Sequence, residues 1–193
     1  MSNIKKTFWV NAEQAALVII DVQEKLTPAM DQALYRQLQL NARLLIEGFA
    51  ALGLPIIATE QYPRGLGHTV AELSGATQQH CIEKLAFSCC GDQGFGAVLE
   101  KTGARQLVIA GMETHVCVLQ TVLDLLDQGY IVHLVRDAVS SRFASDYDNA
   151  IALAARAGAV VTTTETVLFQ LVGEAGTDAF KAISRLVRQR TPE

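Results

Sequence analysis

Glycines followed by short apolar runs recur along the chain and constrain its fold more than any other feature. Four times a stretch with helical spacing ends at a glycine and an apolar run follows; these glycines are Gly53, Gly103, Gly129 and Gly158. Glycine supplies the left-handed conformation that ends a helix, and a short β-branched run is typical of a strand buried on both faces. The alternation of helices with strands predicts a parallel sheet covered by helices on both sides.

The same patterns predict the bounds of the elements. Predicted strands are Ala15–Ile20, Leu54–Ala58, His80–Leu85, Gln106–Ala110, Tyr130–Val135 and Ala159–Val161. Predicted helices are about Gln32–Leu52, Gly94–Lys101, Thr114–Asp127, Ser145–Ala157 and Asp178–Arg188. A chain of 193 residues with 50% apolar residues suits a single domain that spans residues 1–193. The irregular stretch at residues 59–75 has the length of a functional loop.

Composition and charge exclude several classes of partner. The net charge is −4 and the 16 lysines and arginines are scattered, so we expect no nucleic-acid partner. No apolar run approaches the ~20 residues of a membrane span, and the N-terminal residues do not form a signal-peptide core. The four cysteines have neither zinc-site nor disulfide-framework spacing. We therefore expect a cytoplasmic protein with free thiols.

Three residues able to carry chemistry follow the predicted strands. Asp21 ends the first strand, Lys84 lies near the end of the third, and Cys117 comes shortly after the fourth. Ligands of open parallel sheets bind outside the carboxyl ends of the strands, so we expect these side chains to face one crevice. A carboxylate there could take a proton from the thiol, and an ammonium could stabilise both anions.

The local sequence around Cys117 favours a reactive thiol. Thr114 is the predicted N-cap, which places Cys117 in the first turn of a helix. Unpaired backbone N–H groups and the helix dipole there favour the thiolate over the thiol. Two alternatives remain: an isolated cysteine is more often a buried packing residue, and His115 could pair with the thiol as a base.

The motifs that contain these residues resemble a known family. Asp21-Val22-Gln23, Lys84 before Phe87-Ser88, and Gly111…Thr114…Cys117-Val118 are similar to motifs of the isochorismatase-like cysteine hydrolases. That superfamily includes nicotinamidases and N-carbamoylsarcosine amidohydrolase. Residues 59–67, 121–127 and 168–173 resemble the isochorismatase-domain-containing subgroup, and the resemblance extends over about residues 15–187.

The resemblance implies a fold and a set of site residues. The fold is a three-layer α/β/α, Rossmann-like arrangement with a six-stranded parallel sheet in the order 3-2-1-4-5-6. The implied catalytic triad is Asp21, Lys84 and Cys117. A cis peptide between Met112 and Glu113 is implied to turn the N–H groups of Glu113 and Cys117 into an oxyanion hole. Candidate substrate contacts are Gln23, Gln61, Tyr62 and Phe87. Gln23 could instead make a strand-end hydrogen bond, and Phe87 could belong to the core.

Two departures from the wider superfamily narrow the expected chemistry. Nicotinamidases bind a metal through an aspartate and two histidines near the loop after strand 2. Here that region offers Glu60, Tyr62 and His68, so we expect neither a metal nor another cofactor. Isochorismatases proper lack the cysteine, so Cys117 favours covalent acyl transfer.

The sequence therefore predicts a cysteine hydrolase that acts on a small amide or related acyl compound through a thioester. Family members often associate, so we also expect a homo-oligomer. One alternative is isochorismatase-type hydrolysis without covalent use of the thiol. Another is a non-catalytic binding or redox-sensing protein in which Cys117 is oxidised.

Overall fold

A six-stranded parallel sheet forms the centre of the protein. The computed structural model describes residues 4–190, and its strands lie in the order β3-β2-β1-β4-β5-β6. The strands are β1 (Ala15–Ile20), β2 (Ile56–Gln61), β3 (Cys81–Lys84), β4 (Gln106–Met112), β5 (Ile131–Ser140) and β6 (Val160–Thr162). The predicted fold class and strand order are confirmed.

Helices cover both faces of this sheet. They are α1 (Ile4–Phe8), α2 (Gln32–Ala51), α3 (Pro63–Leu66), α4 (Gln93–Thr102), α5 (Leu119–Asp127), α6 (Ala144–Ala157), α7 (Thr164–Val172) and α8 (Asp178–Val187). α2, α7 and α8 pack on one face, and α4, α5 and α6 pack on the other. Within residues 4–190, no helix combines the length and apolar character that crossing a bilayer requires.

The position of β1 between two layers of helices explains why its sequence is apolar throughout. Leu17 and Ile19 point into the core on the α2 side, whereas Val18 and Ile20 point into the core on the α5 side. All six residues of β1 are buried. A parallel strand between two helical layers has no solvent-facing side, so its apolar run is continuous rather than alternating.

Gly111 allows β1 and β4 to meet closely beside the site. It pairs with Ile20 and has φ +127°, a conformation that side-chain-bearing residues rarely adopt. A Cβ atom at this position would collide with the backbone carbonyl of Ile20. The glycine therefore lets the carboxyl ends of β1 and β4 lie side by side.

β5 and α7 differ from the sequence prediction, and Asp137 connects the two elements. β5 continues past the predicted end to Ser140, across polar Arg136 and Asp137, and the apolar pattern does not reveal this continuation. The Asp137 carboxylate accepts hydrogen bonds from the backbone N–H and hydroxyl of Thr164, at 2.8 and 2.9 Å. Thr163 is the N-cap of α7, and Asp137, 27 positions upstream of Thr164, satisfies the first N–H of this helix, which was not predicted from the sequence.

Candidate active site

Asp21 lies directly after β1 and is completely buried. Its φ of +51° is in the left-handed region, which aspartate adopts more readily than most residues. The Thr59 hydroxyl donates a hydrogen bond to Asp21 Oδ1 at 2.7 Å, and Lys84 Nζ donates to Asp21 Oδ2 at 2.7 Å. Donors on two different strands therefore fix the orientation of the carboxylate.

Lys84 ends β3 and is 2% exposed. Besides Asp21, its ammonium donates to Gln61 Oε1 at 2.8 Å and to the carbonyls of Phe87 and Ala86 at 2.9 and 3.2 Å. A buried ammonium is tolerated only where an opposite charge and hydrogen-bond acceptors replace its water. This set of acceptors meets that requirement and holds the cation beside Asp21.

Cys117 lies in a helical turn that begins at Thr114 as predicted, but the predicted N-cap was one residue too late. Glu113 occupies the N-cap position, not Thr114, and Thr114–Val118 forms one π-helical turn before α5. Cys117 is 6% exposed. The Thr121 hydroxyl donates to the Cys117 carbonyl at 2.7 Å and accepts from the Cys89 backbone N–H at 2.9 Å.

The electrostatics of the nucleophile candidate correct the sequence analysis. Burial raises the pKa of Cys117, and Asp21 raises it further through its charge and a hydrogen bond with the thiol. Lys84 lowers the pKa, but by less than these effects raise it. The position at the helix terminus favours the thiolate, but burial and Asp21 leave the pKa of Cys117 above its ordinary value. The resting group is a thiol that needs a base, and Asp21 lies beside it.

Two buried side chains of the site carried no assignment from the sequence. Cys89 is fully buried, and its thiol donates to Thr59 Oγ1 at 3.8 Å. Burial raises the pKa of Cys89 to about 12 and that of Cys81 and Cys90 to about 11. Thr59 could have been noticed as the polar residue that follows the apolar run of β2, at the same edge as Asp21.

The four candidate substrate contacts divide into two pairs. Gln23 donates to the carbonyls of Gln61 and Gly67 at 3.1 and 2.6 Å and accepts from the Gln61 N–H at 2.7 Å. Gln61 in turn accepts from Lys84 and donates to the Leu85 carbonyl at 2.8 Å. These two side chains are buried, and their hydrogen bonds connect the segment after β1 with the ends of β2 and β3. Tyr62 and Phe87 are 51% and 55% exposed and stay candidates for contact with a substrate.

The side chains of His115 and Glu113, which lie near Cys117 in the sequence, have partners other than Cys117. His115 Nδ1 lies 3.0 Å from Ser141 Oγ, and its Nε2 lies 3.8 Å from Asp146 Oδ2. Those contacts give no support to a Cys–His pair. The Glu113 carboxylate accepts from Arg142 Nε at 2.9 Å. The Met112–Glu113 peptide is cis, as the resemblance implies.

The region that holds the metal in nicotinamidases is occupied differently here. Glu60 Oε1 accepts from the Thr69 N–H and hydroxyl at 2.6 and 2.8 Å, and Glu60 Oε2 lies 2.9 Å from His68 Nδ1. Burial opposes ionisation of Glu60, but its hydrogen bonds with Thr69 and His68 leave its pKa lowered. Over residues 4–190, no group of three or more His, Cys, Asp or Glu side chains is arranged to hold a metal.

Comparison with known proteins identifies the family. The family model described as "Isochorismatase domain" matches residues 15–166. The chain belongs to the isochorismatase family. Proteins of the isochorismatase family are hydrolases.

Relatives with the same domain agree with this assignment. The chain is 39% identical over 173 residues to isochorismatase domain-containing protein 1 of Salmo salar, covering 90% of this chain and 60% of that protein. It is 34% identical over 193 residues to isochorismatase domain-containing protein 2 of Xenopus laevis, covering 100% of this chain and 93% of that protein. The chain thus spans about three fifths of the first relative and nearly all of the second.

Solved structures of isochorismatase-like proteins superpose well on this chain. The MAR1 ribonuclease of Caenorhabditis elegans has a TM-score of 0.88 at 37% identity, covering 96% of this chain and 95% of that chain. YcaC from Pseudomonas aeruginosa, solved with hexane-2,5-diol and covalent acrylamide, has a TM-score of 0.84 at 25% identity, covering 94% and 96%.

Proposed function

We propose that this isochorismatase-family protein is a cysteine hydrolase that cleaves a small amide or related acyl compound through a thioester. Cys117 is the nucleophile, Asp21 the proton carrier and Lys84 the cation that supports both. The observation that carries the proposal is the buried Asp21 carboxylate, which contacts both the Cys117 thiol and the Lys84 ammonium.

Acylation follows from this arrangement. The Asp21 carboxylate takes the thiol proton, and the Cys117 sulfur attacks the carbonyl carbon of the substrate. The N–H groups of Glu113 and Cys117 stabilise the tetrahedral oxyanion, each donor contributing about 3–4 kcal/mol in comparable hydrolases. When the intermediate collapses, the leaving amine receives the proton from Asp21, and the acyl group remains on sulfur.

Deacylation uses the same proton carrier. Asp21 is again a carboxylate, and it takes a proton from a water molecule that attacks the thioester. Collapse of the second tetrahedral intermediate releases the carboxylic acid and returns the proton to the sulfur of Cys117. Lys84 Nζ, 2.7 Å from Asp21 Oδ2, holds the proton carrier in place through both halves of the reaction.

Selective labelling of Cys117 tests this proposal without a known substrate. We expect iodoacetamide to label Cys117 faster than Cys81, Cys89 or Cys90, and Asp21→Asn to remove that advantage. Peptide mapping by mass spectrometry measures each thiol separately, and Cys81→Ser is the matched control. Labelling of the other cysteines while Cys117 stays unmodified would contradict the proposal. A library of small amides, read for acyl adducts on Cys117, then identifies the substrate.

The alternatives make different predictions for the thiol. Isochorismatase-type hydrolysis without a covalent step requires a Cys117→Ala variant that retains turnover. A redox sensor requires a thiol that is ionised at neutral pH, whereas burial and Asp21 raise the pKa of Cys117. A base beside a protonated thiol favours the hydrolase over the sensor.

A ribonuclease is a second candidate because the C. elegans neighbour carries that name at 37% identity. The net charge of −4 and the scattered basic residues argue against RNA as a substrate of this chain. Incubation with single-stranded RNA, with Asp21→Asn as control, separates the two functions. RNA cleavage that depends on Asp21 would replace the amide hydrolase proposal.

Association of identical subunits is part of the proposal. Large apolar side chains are exposed after the carboxyl ends of the strands; they are Tyr62 at 51%, Leu85 at 76%, Phe87 at 55% and Phe143 at 62%. Burial of such side chains favours association with another copy. Sedimentation analysis tests this, and a monomer at all concentrations would contradict it.

A further inference from the structure

We propose that Thr59 is a positioning residue for Asp21 and sets the pH range in which the carboxylate can accept the Cys117 proton. The inference rests on the proposed function, because it assumes that Asp21 acts on Cys117. Neither the sequence pattern nor the family resemblance gave Thr59 a role. The structure places its hydroxyl directly on the carboxylate.

Thr59 holds Asp21 through both its main chain and its side chain. The two strands are in register, with Ile20 opposite Thr59. The Asp21 N–H donates to the Thr59 carbonyl at 3.1 Å, and the Thr59 hydroxyl donates to Asp21 Oδ1 at 2.7 Å. Thr59 is 1% exposed, and a β-branched side chain has few alternative rotamers. The hydroxyl is therefore fixed where it meets one carboxylate oxygen while Lys84 meets the other.

Cys89 fixes the direction of the Thr59 proton. A hydroxyl has one proton to donate, and Thr59 Oγ1 accepts from the Cys89 thiol at 3.8 Å. Cys89 stays protonated because burial raises its pKa to about 12. Its backbone N–H is held by Thr121, which also bonds the Cys117 carbonyl. The hydroxyl proton of Thr59 therefore points to Asp21. The same hydrogen-bond network links Thr59, through Cys89 and Thr121, to the backbone of Cys117.

In general, a hydroxyl that donates to a carboxylate favours the charged form over the protonated form. Among residues 4–190, the titratable groups found to interact with Asp21 are Lys84 from β3, Cys117 from the turn after β4, and Cys89 from the loop after β3. Lys84 is the cation, and both thiols are neutral at rest. Removal of the Thr59 hydroxyl should therefore move the acidic limb of Cys117 reactivity to higher pH.

The experiment measures the rate of Cys117 alkylation by iodoacetamide from mildly acidic to mildly alkaline pH, using peptide mapping of the full-length protein. In Thr59→Val we expect the acidic limb to move upward by about one pH unit, with a rate about tenfold lower on that limb. Thr59→Ser keeps the hydroxyl and should restore the wild-type profile. Thr77→Val, which removes a surface hydroxyl bonded to the Ser74 carbonyl, is the matched control and should have no effect.

The outcomes separate the two proposals. If wild-type Cys117 is not labelled selectively, the proposed function fails. If wild-type Cys117 is labelled and Thr59→Val shows the same pH profile, the function stands and the role of Thr59 is overturned. A Thr59→Ser profile that matches Thr59→Val also overturns it. Thr59→Ala, which lacks the same hydroxyl, gives the decisive profile if the valine variant does not fold.

Discussion

Lys84 Nζ and Asp21 Oδ2 lie 2.7 Å apart with both side chains fully buried, although 63 residues separate them in the chain. The two residues come from strands that are not neighbours, because β2 lies between β1 and β3. Each charge depends on the other, since neither is exposed to water. The pair is thus expected to stabilise the fold as well as to support the proposed reaction.

Breaking this pair should destabilise the fold. Asp21→Asn leaves the buried ammonium with neutral acceptors only, and we expect the free energy of unfolding to fall by about 3–5 kcal/mol. Lys84→Met should have a similar effect, because it leaves a buried carboxylate bonded to Thr59. The double variant should lose less than the sum of the two single losses. Urea denaturation monitored by circular dichroism measures all three. Additive losses would show that the two charges are energetically independent.

Gly111→Ala should be more damaging than other glycine substitutions with positive φ. Its Cβ would collide with the Ile20 carbonyl, so we expect a loss of about 4 kcal/mol or more in unfolding free energy. Gly158→Ala is the matched control, since φ is +111° there and an added Cβ has no heavy atom within 4 Å. That control should cost only the conformational term of about 1–2 kcal/mol. If urea denaturation shows the same loss of unfolding free energy for Gly111→Ala and Gly158→Ala, the close contact between Gly111 and Ile20 is not what makes Gly111 important.

Buried His133 should make the protein sensitive to acid. Within the part of the chain that the structure describes, neither ring nitrogen has a hydrogen-bond partner, and burial lowers the pKa of His133 to about 4. The unfolded chain takes up this proton at higher pH than the folded protein, near the ordinary value of 6.5. The free energy of unfolding should therefore fall by about 3 kcal/mol as the pH falls from about 6.5 to about 4.

His133→Leu should remove this contribution. Its dependence of stability on pH should be flatter over that interval than the wild-type dependence. At neutral pH the variant should lose little stability, because no hydrogen bond of the imidazole is broken. The control is the exposed His80→Gln, which should keep the wild-type slope. A wild-type slope in His133→Leu would refute the assignment.

Chelation should leave Cys117 reactivity unchanged. Glu60 Oε2 lies 2.9 Å from His68 Nδ1, and Glu60 Oε1 accepts from the Thr69 N–H, so the carboxylate in the region of the nicotinamidase metal site already has partners. Dialysis against EDTA should alter neither the rate nor the pH dependence of Cys117 labelling. His68→Gln, which removes one possible ligand, should likewise label at the wild-type rate. Loss of labelling on chelation, restored by zinc or iron, would overturn this prediction.

The sequence predicted the strands because apolar runs are local, and the meeting of the strand ends because ligands of parallel sheets bind at the carboxyl edge. Apolar runs such as those of β1 and β4 report burial on both faces, and glycines such as Gly53 and Gly103 mark where helices end. Asp21 and Cys117 were identified because each follows such a run, and Lys84 because it lies near the end of a weaker predicted strand. The missed helix α7 shows the limit of this reasoning, since its first N–H is satisfied by Asp137, which lies 27 residues upstream of Thr164.

The sequence by itself determined the order of elements, the strand order implied by resemblance, and the residues of the proposed triad. Only the tertiary structure decided how burial and neighbouring charges affect the protonation of Cys117. Motif position alone favoured a thiolate at Cys117, whereas burial and the nearby Asp21 charge keep the thiol protonated. Likewise, Thr59 and Gln61 became part of the site only when β2 was placed between β1 and β3. A pKa depends on solvent exclusion and on charges a few ångströms away, and neither quantity is encoded in the neighbours of a residue along the chain.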